Sequence, residues 1–322
     1  MNSLDWTRIK LLECFEGREN RVLSGAQLAD RLEMSRAAIW KHLRLFKKMG
    51  FPIQSVARGG YIFKRKVDLS LARLAAQKSK KWTTAHFALN VTSTQRLAKA
   101  AAIQGIPEGH LWIAETQSEG RGRLDRRWES GYGGLWFSLI LRPKVAPAEV
   151  PPLTQIGALS LVKVLSRRGV LARLKWPNDV VVYRLRRWQK LAGILTEMSG
   201  EVDRTDWVVM GIGLNVFNVI PAALKKVAAA VEDAARRPST RADLLNAFLR
   251  EFEKDYRSYQ KNRFQTFQKL YWKYYSRPDQ HVTLQTAAGQ IEGKARGVDP
   301  RGGLLVESNR RILTIFEGEI IQ

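Results

Sequence analysis

The side chains with the most chemistry to offer crowd into one stretch, Glu119-Gly120-Arg121-Gly122-Arg123-Leu124-Asp125-Arg126-Arg127-Trp128. Glycines at alternate positions let backbone amides approach an anion closely, and planar guanidinium groups grip phosphate or carboxylate through paired hydrogen bonds. The stretch reads as an anion clamp or, more blandly, as a mobile basic hairpin tip. Further along, Lys175-Trp176-Pro177-Asn178-Asp179 gathers a lysine, a tryptophan and an aspartate about a turn, setting Lys175 and Asp179 near the same strand ends. Lys190 heads the apolar run Leu191-Ala192-Gly193-Ile194-Leu195. It is either a solvated edge residue or a charge held over an anionic ligand. Gly211-Ile212-Gly213-Leu214-Asn215 offers glycines where a ligand or another backbone must come close.

Several chemistries are missing. There is no Walker A sequence, and Gly211-Ile212-Gly213 lacks the third glycine of a dinucleotide fingerprint. The 4 histidines and 1 cysteine show no metal-ligand spacing, and no Gly-x-Ser-x-Gly elbow is present. What remains is electrostatic: arginines, lysines, amides and one well-placed aspartate. Such an inventory suits activation of a carboxylate by a nucleotide, where charge builds at the α-phosphate.

The elements that must position these groups alternate between strand and helix, which argues for a mixed α/β unit. Phe87 to Thr92, His110 to Thr116 and Gly134 to Leu141 read as strands, Leu153 to Leu165 as a core helix, and Trp207 to Met210 as the strand that closes the sheet. Ser93-Thr94-Gln95 starts a helix; capping is the expected job of Thr92, Ser93 or Thr94, compatible with hydroxyls that face a polar ligand. In front of this unit, Trp6, Ile9, Leu12 and Phe15 recur at helical spacing. Ser24-Gly25-Ala26-Gln27 makes a capping box, and Ser35 starts a helix with Ile39, Leu43 and Phe46 on one face and Arg36, Lys41, Arg44, Lys47 and Lys48 left for solvent or phosphate. With a strand pair around Arg58-Gly59-Gly60, this is a helix-turn-helix with a wing, in which Ser24, Ser35, Arg36, Lys41, Arg44 and Arg58 are the DNA-contact candidates. The blander alternative is a small helical interaction module.

Lys64 to Trp82 reads as a solvated linker around a short helix, and Cys14 as a small core residue. Towards the C-terminus, two helices over Arg241 to Tyr259 and Phe264 to Tyr275 precede short strands and glycine turns that suggest a small antiparallel barrel. The chain has 322 residues, 54 Lys plus Arg against 30 Asp plus Glu, and a net charge of +24. That excess attracts polyanions or anionic substrates. No secretory signal is evident, and the longest apolar segment, Trp207 to Ile220, is too short to span a bilayer, so a cytoplasmic protein with no membrane partner is expected.

In this order, Gly120-Arg121-Gly122-Arg123 with Trp128, Lys175 to Asp179, Lys190 to Ile194 and Gly211 to Asn215 resemble the biotin protein ligases. The helix-turn-helix with Met34-Ser35-Arg36-Ala37-Ala38-Ile39 resembles that of the bifunctional members that also repress the biotin operon. The resemblance implies an α+β chain: a winged helix-turn-helix at residues 1–66, a linker at 67–82, a class II synthetase-like mixed α/β catalytic domain at 83–275 and an SH3-like β-barrel at 276–322. It implies ATP, biotin and Mg2+, with biotinyl-5'-AMP as intermediate and corepressor. Biotin would lie against Ser93, Thr94, Gln95 and Gln117, under Gly120, Arg121, Gly122 and Arg123, with Lys190 at its carboxyl side. Arg121, Trp128, Asn178 and Asn215 would lie around the nucleotide, and Asp179 would orient the incoming lysine; Arg121, Arg123, Lys190 and Asp179 form the implied catalytic set. The acceptor would be the biotin carboxyl carrier protein of acetyl-CoA carboxylase, the DNA partner an operator, and the adenylate-bound form a homodimer. Gln95, Glu119 and Leu124-Asp125 depart from the family's usual residues, and Glu119 is expected to lower the field at the clamp. Two other readings are a biotin-sensing regulator without ligase activity and a lipoate or octanoyl ligase of related fold.

Overall fold

Apolar faces decide how the chain folds back on itself, and the N-terminal unit does so around three helices. The computed structural model describes residues 3–57, 60–76, 84–235 and 239–321. Helix α1 (Ser3–Glu13) turns Ile9, Leu11 and Leu12 inward, with Cys14 and Phe15 buried just beyond its end. Trp6 does not join them and is 45% exposed, because the first turn lies outside the packed stripe. A two-residue strand β1 (Leu23–Ser24) leads into α2 (Gly25–Leu32), whose start is the expected capping box: Ser24 Oγ accepts from Gln27 N at 3.0 Å and Gln27 Oε1 accepts from Ser24 N at 2.9 Å. Ser35 Oγ caps α3 (Arg36–Lys48) by accepting from Ala38 N at 3.1 Å, and Ile39, Leu43 and Phe46 are buried beneath it. Strands β2 (Ile53–Val56) and β3 (Gly60–Phe63) pair antiparallel with β1 on the far side of β3, giving the winged form. Arg58, the wing candidate, lies outside the described residues.

After α4 (Ser70–Ala76), the central unit runs β4 (Thr84–Val91), α5 (Thr94–Ile103), β5 (His110–Gln117), β6 (Leu135–Leu141), α6 (Pro151–Ser166), β7 (Ala172–Lys175), β8 (Asp179–Arg184), β9 (Arg187–Gly200), β10 (Thr205–Leu214), α7 (Arg241–Asn262) and α8 (Gln268–Tyr274). Its seven strands lie in the order β4-β5-β6-β10-β9-β8-β7, with only β4 and β5 parallel. Strand β10, expected to close the sheet, instead sits at its centre. The β9–β10 hairpin folds back against β6, so Val208, Val209 and Met210 are covered on both faces. Every residue of β6 is buried as well, with α5 packed on it and Phe248 of α7 meeting its Phe137 at 5.5 Å. Helix α5 covers only part of its face; the rest of that face is open and forms the floor of the site.

The last unit is a five-stranded antiparallel sheet of β11 (His281–Thr286), β12 (Gly289–Val298), β13 (Leu304–Ser308), β14 (Arg311–Ile315) and β15 (Glu319–Ile320). Its order is β14-β13-β12-β11-β15, so the expected barrel does not close: β14 and β15 are its two edges. It is pinned to the central unit at Gly302, whose carbonyl accepts from Gln155 Nε2 at 2.6 Å and Trp176 Nε1 at 3.1 Å.

Residues 77–82 of the segment expected as linker lie outside the described residues, and of the part before them residues 67–69, 71 and 72 are buried rather than solvated. Val67, Leu69, Leu71 and Ala72 are apolar and pack with α4 over β4 and α7, and Asp68 ends in a buried ion pair. That pair belongs to Arg241, itself 0% exposed. Its guanidinium reaches Asp68 Oδ2 at 3.2 Å, Glu115 Oε2 at 2.6 Å and the Gly134 carbonyl at 3.1 Å, and lies 5.4 Å from the Tyr132 ring centre and 5.3 Å from that of Phe217. Tyr132 in turn packs on Phe51 and Phe63 of the N-terminal unit at 4.9 and 5.4 Å. Burial opposes the guanidinium's charge, but Glu115, Tyr132 and Asp68 outweigh it and hold its pKa above the ordinary value. Removing only the cation leaves two buried carboxylates without a counter-charge, so Arg241→Met is expected to destabilise the fold by about 3–5 kcal/mol. Urea unfolding of that variant and of Arg241→Met/Asp68→Asn/Glu115→Gln checks this, with part of the loss recovered in the triple variant.

Candidate active site

Five stretches far apart in sequence converge on a cavity of about 540 Å³ on the open sheet face. Its wall includes Ser93, Thr94, Gln95, Gln117, Arg121, Gly122, Arg123, Trp128, Asn178, Asp179, Lys190 and Asn215, which is every expected ligand-site residue except Gly120. Gly120 is buried behind the loop, where a Cβ would lie 2.4 Å from the Trp128 carbonyl and 2.5 Å from Ser130 Oγ. Its lack of a side chain lets the loop close on itself: Trp128 N donates to Gly120 O at 2.9 Å and Gly122 N to Arg126 O at 2.7 Å. Leu124 and Asp125 form the tip with φ of 55° and 53°.

The loop's four arginines divide into two pairs. Arg126 is held by Glu319 of β15 at 2.7 Å, and Arg127 by Glu129 at 3.1 Å. All four line the cavity, but Arg121 and Arg123, among the described residues, meet no carboxylate; Arg123 Nη1 donates to Asn178 Oδ1 at 3.4 Å and to Gly318 O at 3.3 Å. Glu119 does not lower the field in the way its sequence position suggests. It turns outward to Arg96 of α5 at 2.6 Å and is not part of the cavity wall.

The head of α5 supplies a polar ring. Ser93 makes no capping hydrogen bond; the helix's first amide, Thr94 N, donates at 2.8 Å to Gln117 Oε1, so β5 caps α5. Thr94 Oγ1 donates to the same oxygen at 3.1 Å and lies 2.9 Å from Ser138 Oγ, which donates to Gln95 Oε1 at 3.1 Å. Gln95 Nε2 donates to Val209 O at 3.1 Å, and the longer side chain fits because it lies over Gly211, where a Cβ would come within 2.5 Å of its oxygen. Sequence reasoning missed Ser138, although a lone hydroxyl in the run Leu-Trp-Phe-Ser-Leu-Ile-Leu was a usable signal.

Lys190 is not a solvated edge residue. Strand pairing joins Asp179 to Gly193 and Val180 to Ala192, then jumps to Val181 with Lys190, leaving Leu191 as a bulge. In an unbroken strand residues 190 and 193 point to opposite faces; the bulge turns Lys190 onto the face of Gly193. Its ammonium thereby stands 2.7 Å from Asp179 Oδ1, an ion pair by distance whose angle falls outside hydrogen-bond geometry. It also lies 5.0 Å from the Trp128 ring centre. Lys175 enters the wall beside Asp179, where burial pushes its pKa down and Asp179 pulls it part of the way back. Glu319 enters from the C-terminal unit with its carboxyl held below the usual range, chiefly by the hydrogen bond from Arg126. No sequence signal tied Glu319 to the site. Asn215 follows β10 and is fixed by Asn218 Nδ2, which donates to its Oδ1 at 3.0 Å.

The glycines of β9 and β10 make room for the loop's tryptophan. A Cβ on Gly213 would lie 2.6 Å from Trp128 Nε1, and one on Gly193 would lie 3.1 Å from its Cζ3. Gly213→Ala is therefore expected to displace Trp128, with an overpacking cost of about 1–3 kcal/mol taken up by opening the loop. Hydrogen exchange over residues 119–129 checks this: faster exchange is expected in Gly213→Ala and wild-type exchange in Gly131→Ala, where an added Cβ meets nothing within 4 Å.

The candidate residues give the cavity an apolar floor, two arginines with no carboxylate partner among the described residues and a lysine-aspartate pair, an arrangement suited to an anion. Among the described residues no group of three His, Cys, Asp or Glu side chains could hold a metal ion, and no helix is long and apolar enough to cross a membrane.

Comparison with known proteins covers nearly the whole chain. Residues 87–215 match the biotin/lipoate A/B protein ligase family, residues 7–62 an HTH domain, and residues 279–321 the biotin protein ligase C-terminal domain. The chain is 35% identical over 321 residues to the bifunctional ligase/repressor BirA of Bacillus subtilis (strain 168), covering 97% of this chain and 98% of that one. It is 28% identical over 306 residues to the bifunctional ligase/repressor BirA of Escherichia coli (strain K12), covering 92% of each. Among solved structures, the biotin protein ligase from Aquifex aeolicus in complex with biotin and ATP aligns with a TM-score of 0.63 at 28% identity, over 73% of this chain and 97% of that one. The lipoate alternative finds no separate support in these relatives, and with a helix-turn-helix unit, a ligase centre and the matching C-terminal domain in one polypeptide, the chain belongs to the family of bifunctional biotin protein ligases and repressors.

Proposed function

We propose that the chain joins biotin to ATP in the cavity, giving biotinyl-5'-AMP and pyrophosphate, and then passes the biotinyl group to a lysine of the biotin carboxyl carrier protein of acetyl-CoA carboxylase. The observation that carries this reading is the division of charge around the cavity: Arg121 and Arg123 stand without carboxylate partners among the described residues, while Lys190 is locked beside Asp179. In the first step a biotin carboxylate oxygen attacks the α-phosphorus and the bond to pyrophosphate breaks. Both reactants are anions, so the step needs cations already in position. Arg121, Arg123 and Lys190 supply them, and the nucleotide enters as its magnesium complex. Thr94, Gln95 and Gln117 face the biotin end, with Ser93 beside them. Trp128, Asn178 and Asn215 face the nucleotide, and Trp128 shields the carboxylate from water.

In the second step the acceptor amine attacks the carbonyl of the mixed anhydride, AMP leaves and an amide forms. A free lysine has a pKa of about 10.4, so it must lose a proton near the reaction centre. Asp179 orients the incoming ammonium and helps to remove that proton. The adenylate also serves as corepressor: the adenylate-bound chain dimerises and presents two winged helices to an operator in the cytoplasm. Exposed Arg36, Lys41 and Arg44 on α3 contact DNA, with Arg44 5.2 Å over the Trp40 ring, while Ser24 and Ser35 position the helices through their caps.

Biotin incorporation into a carrier domain with ATP and Mg2+ tests this. Lys190→Ala is expected to lower the rate of adenylate formation by about 10²–10³, the usual scale for removing one preorganised charge donor. Arg121→Ala is expected to form adenylate but release it faster. Full transfer by Asp179→Asn would remove the proposed role of that carboxylate, and absence of transfer by the wild-type chain with adenylate still bound would favour a biotin-sensing regulator.

A further inference from the structure

The turn between β8 and β9 carries a basic and aromatic cluster that the two reaction steps do not use. Leu185 and Arg186 adopt φ of 48° and 60°, a tight turn that carries Arg184, Arg186 and Arg187 out past the sheet between Tyr183 and Trp188. The two rings pack edge to face at 5.3 Å. Beside this tip, Lys190 N donates to Val227 O at 2.7 Å, Ala229 N to Lys190 O at 3.0 Å and Gln189 Nε2 to Lys225 O at 2.7 Å. These bonds fix Lys225, Lys226 and Val227 against the start of β9, so both sets of cations belong to one surface.

That surface is open and unneutralised. Tyr183 is 59% exposed, Leu185 72% and Val227 58%. Arg186, Arg187, Lys225 and Lys226 are exposed and, among the described residues, meet no carboxylate within ion-pair distance; Arg184 has Asp233 at 3.7 Å. Exposed apolar and aromatic groups ringed by unpaired cations have the composition of an interface. The patch also reaches the reaction centre: Trp188 and Val227 line the cavity, and four residues of strand from Arg186 to Lys190 span at most about 13–14 Å.

We propose that this surface, the β8–β9 tip with residues 225–227, is where the acceptor domain lands, and that the acceptor is a folded domain bearing acidic side chains beside its target lysine. The proposal rests on the ligase reading. Transfer requires a macromolecule to stand at the cavity mouth while one lysine enters. A cationic rim repels a bare ammonium, so acidic neighbours in the acceptor both dock it and offset that repulsion. A nucleic acid has no such reason to stand at this mouth, and the basic helix α3 already serves it elsewhere in the chain.

The test uses the full chain with biotin, ATP and Mg2+, comparing wild type with Arg186→Glu/Arg187→Glu and Lys225→Glu/Lys226→Glu. Hydroxylamine replaces the acceptor in one assay, trapping the adenylate as biotin hydroxamate; a biotin carboxyl carrier domain is the acceptor in the other, over a range of salt. Expected are wild-type hydroxamate formation, a KM for the carrier raised about tenfold in each variant, and a weaker dependence of carrier kcat/KM on salt. An unchanged carrier KM in both variants overturns the proposal, as does a parallel fall in hydroxamate and transfer, which would place the effect inside the cavity. Unchanged transfer with weakened binding to duplex DNA overturns it in favour of a nucleic-acid surface. If the wild-type chain forms neither hydroxamate nor biotinylated carrier, it is the ligase reading that fails, and this proposal with it.

Discussion

A fully buried guanidinium, that of Arg241, is the constraint on which the arrangement of the chain depends. It stands at the start of α7 and is satisfied by Asp68 from the segment after the wing, Glu115 from β5 and the carbonyl of Gly134 before β6. A buried charge without partners is costly, so these segments can separate only together. Tyr132, on which the cation lies, also touches Phe51 and Phe63 of the N-terminal unit, and Phe217 on its other side closely follows Asn215 of the site. One cation therefore ties the DNA-binding end, the sheet and the loop beside the cavity.

The site follows a related economy of charge. All four arginines of the loop line the cavity; two are neutralised by Glu319 and Glu129, and two have no carboxylate partner among the described residues. Among the lining residues, Asp179 pairs with Lys190, Glu319 with Arg126 and Glu129 with Arg127, so Arg121 and Arg123 leave the cavity with an excess of positive charge. Of the departures, Glu119 is neutralised outside the cavity by Arg96, and Leu124 and Asp125 make the left-handed tip of the loop, with Asp125 off the cavity wall.

Much of this was legible in the sequence because it rests on short-range rules. The capping box at Ser24 and Gln27, the buried face of α3 and the strand pairs are consequences of spacing within a few residues. Charges gathered around glycines at residues 120–123 marked the site, since such a loop has no packing purpose. The failures share a different cause. The segment at residues 67–76 looked solvated because its basic flanks dominate its composition, yet its apolar residues cover β4 and its one aspartate meets Arg241. Ser93 looked like a cap because local propensity favours it, but a glutamine from a neighbouring strand took the amide first.

By itself, then, the sequence determined which residues gather as candidates around the cavity, the helix-turn-helix, the alternation of strands and helices, and the family to which they point. Those properties depend on periodicity and on neighbours along the chain. Tertiary structure alone decided that β10 lies at the centre of the sheet, that the C-terminal strands form an open sheet which sends Glu319 into the site, and that Lys190 faces Asp179 rather than solvent. The last depends on one bulged residue, Leu191. A register shift of one position reverses the face of every side chain beyond it, and no pattern within a single strand records the partner strand that sets it.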